Sequence, residues 1–279
     1  LARRARRLLL QAADIYRRTG AIGSLSVTLW VLSELAAEAG DLRASRAYVE
    51  EAITLAEAVG DVRSASYRPV GLGRLALAEH DHALAIAKLT EASDILGGHD
   101  ADALHVSTLT LLARAHLEAG DAVGALAATE RAIAIHRAHD LAEIEGMERD
   151  ELWWVHARAL AANGKVAAAQ RALATAYRFV VERIANVSDE GLRRNFLDRG
   201  EMRRALVAAW LAQARKGKAA SKRRIPHLAG RTSLSEPFER LADTGLRMNE
   251  LRSAAELHEF LIDEATELSG AERVLLVLE

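Results

Sequence analysis

The chain has 279 residues, 50% hydrophobic but only 4% aromatic, with three prolines and no cysteine. That balance favours helix and deprives a β-sandwich of the β-branched and aromatic residues it needs, while the missing cysteine excludes disulfides, thiolate catalysis and Cys-ligated zinc. Lys and Arg number 37 against 39 Asp and Glu, so no global charge recruits nucleic acid or membrane, and no apolar run approaches the roughly 18 residues of a spanning helix. The chain reads as soluble and is compatible with the cytoplasm.

The N-terminal residues Leu1 to Leu10 combine four arginines with apolar positions. Gln11 and Asp14 interrupt the apolar stretch, which argues against a signal peptide and for an amphipathic helix. The Leu start and the apolar final residues both look like cuts, so the chain is expected to be an excerpt of a longer protein.

A phrase then recurs: Glu38-Ala39-Gly40-Asp41, Ala78-Glu79-His80-Asp81, Glu118-Ala119-Gly120-Asp121 and, more loosely, Ala162-Asn163-Gly164-Lys165, in steps of 40, 40 and 44 residues. Self-similarity at such a period marks a repeat array. Helical patterns flank each copy, so each is expected to be a tight turn between antiparallel helices, with Gly in the left-handed conformation and Asp capping the next helix. Aligned on the turn, three columns hold only small residues: Ser33, Gly73, Ala113 and Ala157; Ser45, Ala85, Ala125 and Ala169; Ala52, Ala92, Ala132 and Ala176. Small side chains are what closely packed helices require. Large apolar residues fall between them, including Leu32, Leu72 and Leu112, and Val49, Leu89 and Leu173.

Pro69 falls inside the first helix of the second full unit, where it is expected to delay or kink that helix by removing one backbone donor. Six residues before each turn stand Glu34, Arg74, Arg114 and Arg158. Three arginines in register would form a basic ladder able to pair with carboxylates; the other reading is that they are solvated or paired with neighbouring acids. His80 and His82 beside Asp81, and His99, Asp100, Asp102 and His105, read as turn and cap chemistry because they lack an i, i+4 pair of histidines backed by a carboxylate. No metal, cofactor or catalytic site is assigned. His116 and His156 are expected to be packed or hydrogen-bonded, and Trp153-Trp154 to divide between packing and groove surface.

From Ser188 the pattern changes. A capping Ser188 and two acids precede expected helices at 189–197 and 201–215, followed by Arg215 to Arg224, six basic residues in ten, which read as a flexible linker. An acidic-lipid or nucleic-acid patch is the alternative, weakened by the absence of interleaved aromatics. A long helix is expected over Ser235 to Ser269, with Leu234, Phe238, Leu241, Gly245 and Met248 as a possible dimer seam, and Val274 to Leu278 as a strand.

The small columns resemble the signature of the tetratricopeptide repeat over residues 1–182, in a 40-residue form like that of large bacterial signalling and transcription regulators. Ala2 to Thr19 then reads as the second helix of an earlier unit. The stretch 251–278, with Leu268-Ser269-Gly270-Ala271-Glu272-Arg273 before the strand, resembles the opening of a GAF domain.

These resemblances imply an all-α fold, a right-handed α-solenoid of antiparallel helix pairs, then a long helix leading into a truncated α/β start. The implied organisation is 1–182 repeats, 183–215 capping helices, 216–233 linker and 234–279 connecting helix with first strand. In such arrays the first helix of each pair lines a concave face, so Arg74, Arg114, Arg158, Trp30 and Trp154 become candidate partner-binding residues for an acidic protein or peptide. The implied role is a non-catalytic relay in a multidomain regulator such as a sensor kinase, nucleotide cyclase or ATPase-linked transcription regulator. Neighbouring domains and a second copy, through the C-terminal helix, are further expected partners. A standalone adaptor is the alternative.

Overall fold

The structure is a computed structural model and describes residues 2–59, 64–97, 102–139, 144, 146–185, 196–197, 201–216 and several positions between 253 and 262. Ten helices of more than one turn occur among these residues: α1 Ala2–Thr19, α2 Ile22–Glu38, α3 Leu42–Val59, α4 Ser64–Ala78, α5 His82–Leu96, α6 Asp102–Glu118, α7 Ala122–Ala138, α8 Arg149–Ala162, α9 Val166–Ala185 and α10 Glu201–Lys216. They fall into two compact units, residues 4–176 and the residues from Tyr177 onward.

In the first unit the recurring phrase is a single backbone device used four times. The N–H after each turn residue reaches the carbonyl five residues back: Asp41 to Ala36, Asp81 to Ala76, Asp121 to His116 and Lys165 to Leu160, at 2.8–2.9 Å. The turn residue itself bonds three back, as from Gly40 to Ala37 and from Gly164 to Ala161. This is the Schellman pattern, which requires a left-handed residue. Gly40, Gly120 and Gly164 supply it with φ of 78°, 81° and 71°, and in the second turn His80 does so at 60°.

Each aspartate then caps the helix that follows. The Oδ1 of Asp41, Asp81 and Asp121 accepts from the N–H of Ala44, Leu84 and Gly124 at 2.9–3.0 Å. Asp121 also lies 2.9 Å from His116 Nδ1. The Gly124 N–H, helped by the nearby imidazole, holds its carboxyl below the usual range.

The turns bring α2 onto α3, α4 onto α5 and α6 onto α7, and successive hairpins stack through α3 on α4, α5 on α6 and α7 on α8. First helices also touch their successors, α4 with α6 and α6 with α8. All twelve small positions expected at helix contacts are buried. At Gly73 the fit is tight enough that an added Cβ would stand 2.6 Å from Leu89 Cγ. The large partners Val49, Leu89 and Leu173 are buried with them, and α1 joins the array by packing Ala13 against Leu25, Leu29, Leu32 and Ala52.

Pro69 lies inside α4, which is already helical at Ser64. The proline therefore does not open the helix; in α4 it leaves the carbonyl four residues earlier without its usual donor. The 44-residue step arises between α7 and α8, where Ile144 is buried and forms an isolated antiparallel bridge with Met147.

His105 is 4% exposed in α6 and its Nε2 lies 3.1 Å from Ser93 Oγ. Burial, followed by the charge of Arg131, pushes its pKa below the ordinary 6.5, and burial does the same to His156. The unfolded chain therefore takes up these protons first as pH falls, and stability present above about 6.5 declines below it. We expect Tm to drop between pH 7.5 and 5.5, and the drop to be shallower in His105→Gln. A variant profile parallel to the wild type would refute the assignment.

In the second unit Tyr177 stacks on Trp210 with centroids 4.4 Å apart, and Arg203 lies 4.0 Å over the Phe196 ring. Leu206 is fully buried in α10, which ends one residue beyond the expected helix. Ser253 is a bend whose Oγ accepts the Glu256 N–H at 3.1 Å. The described positions from Ala254 to Ile262 are helical, with Ser253 placed as an N-cap serine would be; the rest of the helix expected over 235–269 lies outside the described residues. The basic linker beyond Lys216, the dimer seam, and the Ser-Gly-Ala turn and strand of the GAF-like start lie outside the described residues.

Candidate partner-binding surface

The arginine column is mostly engaged within the array. Arg74, with a side chain 19% exposed, pairs with Glu34, the residue at the equivalent position one repeat earlier. Arg114 Nη1 lies 3.1 Å from Glu151 of α8. Arg158 is exposed and has no ion pair among the described residues. Opposite charges on successive first helices thus meet each other, and such pairs contribute little stability when they remain wet.

Trp30 is built into the core. Partly buried, it packs against two apolar clusters, the one containing Leu29 and Ala52 and the one formed by Val49, Ile53 and Leu75, with Tyr67 at a centroid distance of 6.3 Å. A Cβ at Gly71 would meet its Cη2 at 2.6 Å, so glycine makes the room the indole occupies. Residues ten before the turn include the buried Val70 and Thr110, which explains why Trp30 at that register faces its neighbours. Trp154, also at that register, is half-buried.

A concavity in this unit lies elsewhere, among α7, α8 and α9. It is an open cleft of about 460 Å³ whose lining includes Arg137, Trp153, His156 and Arg171. Ile133, Leu160 and Ala172 give it apolar walls. Arg137 stands 5.2 Å over the Trp153 ring, an arrangement that fixes a guanidinium while leaving its donors available. His156 Nδ1 pairs with Thr129 Oγ1 at 2.9 Å; burial, and secondarily Arg137 and Lys165, favour its neutral form despite Glu130. Two exposed arginines over an apolar wall suit a carboxylate-bearing segment.

Of the sequence candidates, then, Arg114 and Arg158 line up on first helices, Arg74 pairs with the half-exposed Glu34, Trp30 is partly buried against two core clusters, and Trp153 rather than Trp154 lines the cleft. His99 and Asp100 lie outside the described residues, whereas Asp102 lies 2.8 Å from His139. No described helix is long and apolar enough to cross a membrane.

No protein-family model matches the chain, and no curated protein matches it. Among solved structures it is similar to a putative kinesin light chain with nearly identical TPR-like repeats from Podosopora anserina, with 20% identity and a TM-score of 0.42, covering 65% of this chain and 88% of that one. It is also similar to a signal transduction ATPase with numerous domains, a protein with a tetratricopeptide repeat sensor from Pyrococcus horikoshii, with 11% identity and a TM-score of 0.46. That match covers 78% of this chain and 38% of the ATPase. The helix-hairpin architecture of this chain rests on its own turns and packing.

Proposed function

We propose that this chain is a protein-interaction region of tetratricopeptide type that binds an acidic segment of a partner in the cleft between α7 and α9. The observation that carries this reading is that Arg137, held over Trp153, and Arg171 line one partly apolar cleft whose single carboxylate, Glu130, is paired with Lys165. Guanidinium forks hold carboxylates bidentately, and an aromatic beneath the cation limits the freedom lost on binding.

A panel of short fluorescent peptides, acidic and basic, tests it by anisotropy. Acidic peptides should bind, more weakly at high salt, and Arg137→Ala with Arg171→Ala should cost at least about tenfold in Kd, roughly one lost charge-assisted contact. Equal binding of acidic and basic peptides, or an unchanged Kd in the double variant, defeats it. If Arg158→Ala and Trp154→Ala weaken binding instead, the first-helix face is the site, as the basic ladder implies.

The regulatory setting is the broader part of this proposal. The likeness of 251–278 to the opening of a GAF domain supports a relay to a following domain in a multidomain signalling protein. A kinase, cyclase or DNA-binding module encoded beyond Glu279 supports that setting, and an immediate stop codon favours an adaptor.

A further inference from the structure

The second turn departs from its siblings in a way that has nothing to do with helix packing. Its left-handed residue is histidine rather than glycine, and His80 is the one non-glycine with positive φ among the described residues. Two residues later stands His82, where the other turns have Leu42, Ala122 and Val166. Across the repeat boundary it meets Glu118, two residues before the third turn. At the boundaries on either side the equivalent pairs are Leu42 with Ala78 and Ala122 with Ala162, neither of which holds a ligand atom.

The geometry points to a binding site for a zinc-like divalent cation made by His80, His82 and Glu118. One nitrogen of each imidazole and one carboxylate oxygen all lie within 4.8 Å of one another. The His82 Nδ1 to Glu118 Oε2 distance is 3.5 Å. That is longer than a good hydrogen bond but close to the spacing of about 3.4 Å between neighbouring ligands on a tetrahedral ion with bonds of about 2.0–2.2 Å. His82 Nδ1 is shielded from solvent and has no hydrogen-bond partner among the described residues. The side chains of His82 and Glu118 are each 29% exposed, which leaves an entry path, and the exposed His80 has the freedom to close the third edge.

The donor set suits the borderline class of cation, since imidazole and carboxylate together favour zinc over the hard calcium and magnesium ions. Three protein ligands leave a coordination position open to water or to an incoming carboxylate. Bound there, the ion would clip the second hairpin to the third at their turns.

The test is calorimetric titration of zinc alone into tag-free, chelator-treated protein, with the variants His80→Gly, His82→Ala and Glu118→Gln. His80→Gly is the cleanest because glycine is what the other turns use, so the fold should be kept while one ligand is removed; circular dichroism checks this. The expected result is one zinc per wild-type chain, weakened on the order of tenfold or more in each variant. No zinc uptake by the wild type, or wild-type affinity in His80→Gly, overturns the site.

Discussion

Replacing Leu89 with Ala is expected to destabilise the array by about 3 kcal/mol, and adding Gly73→Ala to that variant is expected to recover part of the loss. Leu89 is fully buried in α5, and its Cγ and Cδ2 stand 2.6 and 2.8 Å from where a Cβ at Gly73 would be. Alone, Gly73→Ala faces a clash of roughly 1–3 kcal/mol against a helix-propensity gain of about 1 kcal/mol. Once Leu89 is truncated the clash disappears, the new methyl fills some of the cavity, and the propensity gain remains. Urea unfolding at constant m-value measures all four corners of the cycle. Strictly additive effects would mean that the α4–α5 contact is not the close approach described.

Trp30→Ala carries the other large effect, a loss of about 3 kcal/mol, at the lower end for an aromatic truncation because the ring is not fully enclosed. The indole joins two apolar clusters, touching residues of α2, α3 and α4, and fills the space above Gly71. Its removal leaves a cavity at the junction of the first and second hairpins. A groove residue would behave differently, losing partner affinity with little change in unfolding midpoint. An unfolding midpoint equal to the wild type would return Trp30 to the surface reading.

Much of this fold was legible because its determinants are local. A Schellman turn needs only a residue tolerant of positive φ, and the aspartate that follows it in three of the four copies caps the next helix, so both signals sit in one short phrase. The small columns were legible for a related reason: once the turn sets the register, Ala52, Ala92, Ala132 and Ala176 must occupy the same place on the same helix face. The site was less legible because its residues are neighbours only in space. Whether Arg74 and Arg114 were groove cations or paired with neighbouring acids was open in the sequence, because the acids they meet, Glu34 40 positions before Arg74 and Glu151 37 after Arg114, are remote along the chain.

His80 and His82 carried a readable signal, two histidines where the register elsewhere puts Gly and apolar residues, but the carboxylate that completes them comes from the next repeat. Comparing the residue two after one turn with the residue two before the next would have found Glu118. For the cleft the sequence offered only the Trp153-Trp154 pair. Arg137, Trp153 and Arg171 come from three helices whose relative rotation no single-helix pattern encodes.

The loop between α7 and α8 shows how such an array accommodates irregularity. Its added residues leave the fourth turn with the same hydrogen bonds as the first three, because stacking register is counted from turn to helix face and not along the chain. Lengthening a closed loop costs only about 0.6 kcal/mol per doubling, so the connection is where the repeat can change without disturbing its neighbours. Here the extra length brings Gly146 to Arg74 of the second hairpin, close enough that a Cβ there would lie 3.1 Å from its guanidinium. Gly146 thus stands beside a hairpin that is not its neighbour in the chain, a proximity that a strictly periodic solenoid of nearest-neighbour contacts does not possess.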